Sequence, residues 1–177
     1  MLTPDFKKKA GALDVVLEAA PEVFAHNVET VPRLYRSARP GSTYRGSVGL
    51  LAEAARRRDA LHSPAPPWRV KSSVMLGLGE RDEEVIEVLG DLRRAGVDVV
   101  TLGQYLQPTR DHLPVDRFVS PDAFEAFRRE GMAMGFLHVE SGPLVRSSYH
   151  AERHRPDPDP AADGLRACGA SSGGPRR

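Results

Sequence analysis

Cysteine is nearly absent: one residue, Cys168, stands in a chain of 177. A lone thiol forms no internal disulfide and builds neither a thiolate-held iron–sulfur cluster nor a structural zinc site. The missing disulfides suit a reducing compartment, so a cytoplasmic location is expected. Apolar runs are short of the roughly 20 residues that cross a bilayer. Lys7, Lys8 and Lys9 precede no uninterrupted apolar stretch, so neither a membrane span nor a signal peptide is expected. An excess of one charge is also missing. Lysine and arginine number 25 against 24 acidic residues, a net +1 that argues against a bulk electrostatic grip on nucleic acid. The run Arg56-Arg57-Arg58 reads as a solvated helix face. With 40% hydrophobic and 28% charged residues, the composition is that of one globular domain.

Periodicity organises the chain. Leu13, Val16, Leu17 and Ala20 predict a helix over residues 7–20, closed by Pro21. Residues 23–28 read as a short buried strand. Pro32 opens a short helix, and Arg39-Pro40-Gly41 forms a turn. Ser42 is a candidate cap for a helix reaching about Leu61, and the prolines between Ser63 and Pro67 require a loop. Residues 70–76 predict a second strand. Next comes a helix with Asp82, Glu83 and Glu84 at its positive end, Arg93 and Arg94 at its negative end, and Gly96 as its stop. Residues 97–102 form a third apolar strand, broken only by Asp98. Ser120-Pro121-Asp122 starts a helix that ends at Gly135, and residues 136–139 are the last strand. From Arg155 onward little can pack, and 151–177 are expected to be a disordered polar tail behind a domain of residues 1–150.

Four apolar strands separated by helices imply an α/β fold with a parallel sheet. No dinucleotide fingerprint is present, which favours a barrel-type sheet, and four strands do not close a barrel. In such sheets, sites gather at the C-terminal ends of the strands. That rule selects Asn27, Glu29 and Thr30, then Gly77, Gly79 and Glu80, then Gly103, Gln104 and Gln107, and finally Glu140, Ser141, Arg146, Ser147 and Ser148. No nucleophile elbow or phosphate loop lies among them, and tight turning alone would account for Gly77 and Gly79. His26 and His138 read as core histidines satisfied by hydrogen bonds. His150 and His154, four apart, read as a solvated pair rather than as metal ligands. Lys71 either points at a ligand or is salt-bridged. Trp68 is expected to pack where a strand begins.

Several segments together resemble one family. These are His26-Asn27-Val28-Glu29-Thr30-Val31-Pro32-Arg33-Leu34-Tyr35, Arg39-Pro40-Gly41-Ser42-Thr43-Tyr44, and Lys71-Ser72-Ser73-Val74-Met75-Leu76-Gly77-Leu78-Gly79-Glu80. Gly103-Gln104-Tyr105-Leu106-Gln107-Pro108, His112-Leu113-Pro114-Val115, and the stretch from Ser141 through Arg146-Ser147-Ser148-Tyr149-His150 complete the series. In order and spacing, from about Pro4 to His150, they resemble the C-terminal half of the lipoyl synthases, radical-SAM enzymes. The resemblance implies the C-terminal part of a partial (β/α) barrel. It implies S-adenosylmethionine and two 4Fe-4S clusters in the intact enzyme. The implied reaction is sulfur insertion into an octanoyl chain carried by a lipoyl domain or the glycine-cleavage H protein. Matched position by position, Ser148 becomes a ligand of the auxiliary cluster. Asn27, Glu29, Ser73, Met75, Gly77, Glu80 and Gln104 line the cosubstrate site, and Arg146 orients cluster or substrate. Ser73 stands where the family has glycine.

The cluster cysteines of that family have no counterpart here. The resemblance therefore implies a fragment inactive alone, or one chain of a split enzyme whose missing N-terminal half supplies the thiolates. A non-catalytic module that docks lipoyl domains is the alternative. The sheet is expected to show an unpaired parallel edge and an uncovered apolar interior.

Overall fold

A computed structural model describes residues 1–7, 9–61, 68–149, 154 and 156. Helix α1 covers Ala12–Glu18, strand β1 Val23–Ala25, and a 3-10 turn Pro32–Leu34 leads into the single-turn helix α2, Tyr35–Ala38. Helix α3 spans Tyr44–Asp59, β2 Arg69–Leu76, α4 Asp82–Arg94, β3 Val99–Gln104, α5 Pro121–Ala133 and β4 His138–Gly142. The four strands form one all-parallel sheet in the order β1-β2-β3-β4. Helices connect successive strands, as the apolar runs require.

The termini of these elements follow local chemistry. The Ser120 hydroxyl accepts from the Ala123 amide at 3.2 Å, and Pro121 occupies the first turn of α5. In α4, Glu84 reaches back to the Arg81 amide at 2.8 Å. Gly96 and Gly135 follow α4 and α5 with φ of 80° and 89°, a left-handed conformation that costs glycine little. Thr43, not Ser42, caps α3, accepting from Gly46 at 3.1 Å. Ser42 instead donates to Asp5 at 3.0 Å.

Strand alternation sorts the two faces. Phe24, Val70, Val74, Leu76, Val100, Leu102 and Val139 pack with Leu51, Leu89, Leu92, Phe124 and Phe127 of the helices in one hydrophobic core. The opposite face takes the residues between them: Lys71, Ser73 and Met75 on β2, Thr101 and Gly103 on β3, and His138 and Glu140 on β4.

Several expectations are corrected. Strands three and four lie two residues later than predicted, so Gly103 and Gln104 are in β3 rather than beyond it. Hydrophobicity marked the residues facing the helices, while the ladder continues through polar ones. The interior face is mixed and not simply apolar: Lys71, Ser73, Thr101, His138 and Glu140 share it with Ala25, Met75 and Val99. The edge beside β1 is also occupied. Met1–Thr3 run parallel to β1: the Met1 ammonium donates to the Val23 carbonyl at 2.6 Å, Ala25 N–H to Met1 O at 2.9 Å, and Thr3 N–H to Ala25 O at 2.8 Å.

Arg58 is likewise not on a solvated face. It is 9% exposed and pairs with Asp98, whose Oδ2 also accepts from Val70 N–H at 2.7 Å. The reach of an arginine lets a helix residue neutralise the one acid at the head of a buried strand. His26 is the satisfied core histidine expected, with Nδ1 3.0 Å from Thr3 O and Nε2 3.0 Å from Ser47 Oγ. Burial holds its pKa below the usual histidine value. His138, in contrast, is half-buried on the inner face. Trp68 packs at the start of β2, its indole N–H donating to Ala54 O at 3.3 Å. The expected tail, together with His150 and Cys168, falls outside the described residues, apart from His154 and Pro156.

Candidate functional site

The C-terminal ends of the strands open into a cavity of about 700 Å³. Asn27, Glu29, Ser73, Met75, Gln104 and Arg146 all line it. The sequence separates these residues by up to 119 positions, and parallel pairing brings them to one end of the sheet. Beyond β1 the chain keeps contact with β2, because Glu29 N–H donates to Ser73 O at 3.0 Å and Met75 N–H to Glu29 O at 2.8 Å. To do so Glu29 adopts a φ of 68°, which is sparsely populated for a residue with a side chain and concentrates at functional sites. Burial holds its carboxyl above the usual range, opposed by a hydrogen bond from Asn27 and the charge of Arg39. The wall thus presents a half-buried carboxylate with an amide beside it, suited to gripping hydroxyl or ammonium groups of a ligand.

Arg39 holds this wall from behind. Its Nη1 donates to the Asn27 carbonyl at 2.7 Å, the Tyr35 hydroxyl at 2.8 Å and Ser47 Oγ at 2.9 Å. The strand-end rule did not select Arg39, although it sits in a quoted motif. Its distinguishing trait, a half-buried arginine supporting a backbone carbonyl, is not readable from residue type.

Two other predicted residues serve loops. Glu80 is 4% exposed, and its oxygens accept from Gly77 N–H at 2.7 Å and Leu78 N–H at 2.9 Å. Arg117 lies 3.5 Å from it. Glu80 therefore fixes the turn after β2 and does not line the cavity. Gly77, at φ 99°, is pinned beneath Gln104, and a Cβ there would collide with that side chain and with the Arg117 carbonyl. Gln104 borders the cavity but spends its amide on Tyr105 O at 3.0 Å, Arg117 O at 3.1 Å and Val119 N–H at 2.9 Å. It braces the 105–119 loop that roofs the site. Gly103 lets the segment after β4 close in, since a Cβ would strike the Val145 carbonyl. That approach brings Arg146 and Ser147 to the cavity.

Ser148 lies apart, in a second cavity of about 210 Å³ shared with Lys71, Ser147, Asn27 and His154. Asn27 and Ser147 line both cavities and form the partition between them. His154 is fully buried, contrary to the expected solvated pair, and its Nδ1 sits 2.8 Å from Lys71 Nζ. Lys71 is 3% exposed; desolvation brings its pKa down to about 8, against the pull of Glu140. It therefore points inward, and among the described residues it has no direct carboxylate contact of a salt bridge. Among the described residues no three His, Cys, Asp or Glu side chains gather as a metal site. Nor is any helix long and apolar enough to cross a membrane.

A parallel sheet with helices on one face and a ligand-sized cavity at its strand ends is the architecture of a partial (β/α) barrel. The sequence comparisons specify it further. The chain is 54% identical over 153 residues to the lipoyl synthase of Stutzerimonas stutzeri, covering 86% of this chain and 45% of that protein. It is 54% identical over 154 residues to the lipoyl synthase of Acidithiobacillus ferrooxidans, covering 86% and 46%. To that of Idiomarina loihiensis it is 52% identical over 153 residues, covering 86% and 45%. By sequence the chain is similar to lipoyl synthases and spans about half the length of the curated relatives it matches. No family model matches it. Among solved structures, the HMG-CoA lyase of Bacillus subtilis overlays with a TM-score of 0.45 at 12% identity, covering 78% of this chain and 51% of that one.

Proposed function

We propose that this chain forms one wall of a radical-SAM active site that inserts sulfur into a protein-bound octanoyl chain in the cytoplasm. The observation that carries the reading is the convergence of Asn27, Glu29, Ser73, Met75, Gln104 and Arg146 on the strand-end cavity. Its volume, about 700 Å³, suits a nucleoside-sized cosubstrate such as S-adenosylmethionine. In this reading Asn27 and Glu29 hold polar groups of that cosubstrate, and Ser73 and Met75 form the floor. Arg146, on the segment brought in over Gly103, supplies positive charge at the rim.

The two 4Fe-4S clusters that such chemistry requires do not fit the residues present. Thiolates hold these clusters, and no cysteine lies among the described residues. Ser148 offers one oxygen donor and nothing with which to complete a set. The thiolates would be supplied from outside these residues, and the octanoylated lipoyl domain or glycine-cleavage H protein would meet the completed site.

The test is co-expression with a cysteine-bearing N-terminal portion of a lipoyl synthase relative, followed by anaerobic reconstitution. Conversion of an octanoylated lipoyl domain is read by mass spectrometry. The pair is expected to bind iron and form the lipoyl group, the 177-residue chain alone to do neither, and Ser148→Ala to abolish conversion. Stoichiometric cluster on the chain alone would overturn the reading. So would a pair that binds no iron under conditions that load the intact relative.

A further inference from the structure

We propose that Lys71 is a carbonyl-reactive amine: its Nζ, beside His154 Nδ1 on the wall of the second cavity, condenses with small aldehydes or ketones to an imine. The proposal does not rest on the sulfur-insertion reading, which gives Lys71 no role, although the cavity it uses is also lined by Asn27 and Ser148.

The geometry supports it in three ways. First, Lys71 is centred on an inner-face row of the sheet, paired with Ala25 on one side and Val99 on the other. The side chain is held by rigid strands and is 3% exposed. Second, it lines a cavity of about 210 Å³ whose remaining walls include Met1, Leu2, Val23 and Ala25, room for a few-carbon carbonyl compound on a mostly apolar surface. Third, its hydrogen-bond partner is an imidazole nitrogen at 2.8 Å, not a carboxylate that would lock the ammonium form. Among the described residues, the charged and titratable groups around it are few. Glu140 and His138 come from β4, His154 lies tilted against His138 with ring centroids 5.8 Å apart, and Met1 lines the same cavity. Desolvation outweighs Glu140, so a useful fraction of free amine exists near neutral pH.

The step balances without a further reactant. The Nζ lone pair attacks the carbonyl carbon and the C–O π pair moves to oxygen. Nζ passes one proton to His154 Nδ1, and the imidazolium hands it to that oxygen, leaving a neutral carbinolamine. The second Nζ proton travels by the same nitrogen to the departing hydroxyl. The C–O bond breaks, the C=N bond forms and one water leaves. His154 acts as a proton carrier within hydrogen-bond reach, as acid–base assistance requires.

The sequence makes the test clean, because the chain has four lysines: Lys71 and the adjacent Lys7, Lys8 and Lys9. Native protein is treated with propanal and cyanoborohydride, and adducts are located by peptide mass mapping across pH 6–10. Lys71 is expected to react at least about tenfold faster than each of Lys7, Lys8 and Lys9 near pH 7.5, since lysines at their ordinary pKa carry far less free amine there. Its profile should rise to half-maximum near pH 8. In urea that advantage should vanish, and His154→Gln should slow the Lys71 adduct while leaving Lys9 unchanged. A native Lys71 that reacts no faster than Lys9, or keeps the same ratio when unfolded, overturns the proposal. An unchanged rate in His154→Gln removes His154 from it.

Discussion

Arg33, from the loop behind the cavity, grips both carboxylate oxygens of Glu84 in α4, with Nε 2.8 Å from Oε1 and Nη2 2.9 Å from Oε2. The same guanidinium donates to the Gly79 carbonyl at 2.7 Å, so one side chain ties the turn after β2 to the helix that follows. Hydrogen bonding by Arg33 is the largest influence on Glu84 and holds its pKa down to about 2. A carboxylate depressed in the folded state stabilises above its unfolded pKa and loses that contribution as pH falls. Arg33→Ala should lower Tm at pH 6, and the gap from wild type should close between about pH 4.5 and pH 2. A gap that persists at pH 2 would show that Arg33 acts through packing instead.

Arg58 and Arg56 are two residues apart yet should behave very differently. Arg58→Ala strands Asp98, 13% exposed, without its cation. Breaking such a pair costs about 3 kcal/mol. Arg56 is 67% exposed, and its loss should stay within about 0.5 kcal/mol. Urea denaturation of the two variants measures the contrast; equal effects would refute the buried pair.

Glu29 carries the opposite sign from Glu84. Its carboxyl is raised by burial, so ionisation at neutral pH opposes folding, and the stability present below the unfolded pKa is lost as pH rises through the folded one. Glu29→Gln should therefore raise Tm at pH 7, with the gain fading below about pH 4.5. The same variant should lose affinity for S-adenosylmethionine in the co-expressed pair, a stability–function exchange characteristic of binding sites. Calorimetry across pH checks the first half, and titration of the pair checks the second.

Gly103→Ala places a methyl group against the Val145 carbonyl. Overpacking of this kind costs about 1–3 kcal/mol. The displaced segment carries Arg146 and Ser147, so the variant should expose 142–147 to faster amide exchange while α4 and β2 keep their protection. Unchanged exchange in that segment would sink the account.

The parallel sheet, its four strands and the helix stops at Gly96 and Gly135 were readable in the sequence, because they rest on local periodicity and glycine conformation. So was the set around the large cavity, since strand-end position is a topological property. What was not readable depends on reach. Arg58 looked like its two neighbours, and only the fold brings Asp98 within its span. Gln104 and Glu80 looked like ligand groups, but nearby orphaned amides and carbonyls claim them first. His154 looked like a surface residue because its partner Lys71 lies 83 positions away.

The short pairing of Met1–Thr3 with β1 has a practical consequence. Parallel registration points anything fused ahead of Met1 toward the N-terminal ends of the strands, away from the large cavity. An affinity handle or fluorophore at the N-terminus would leave the strand-end chamber unobstructed. One joined directly to Tyr149 would depart from the segment that walls that chamber, and would share its doorway with whatever binds there.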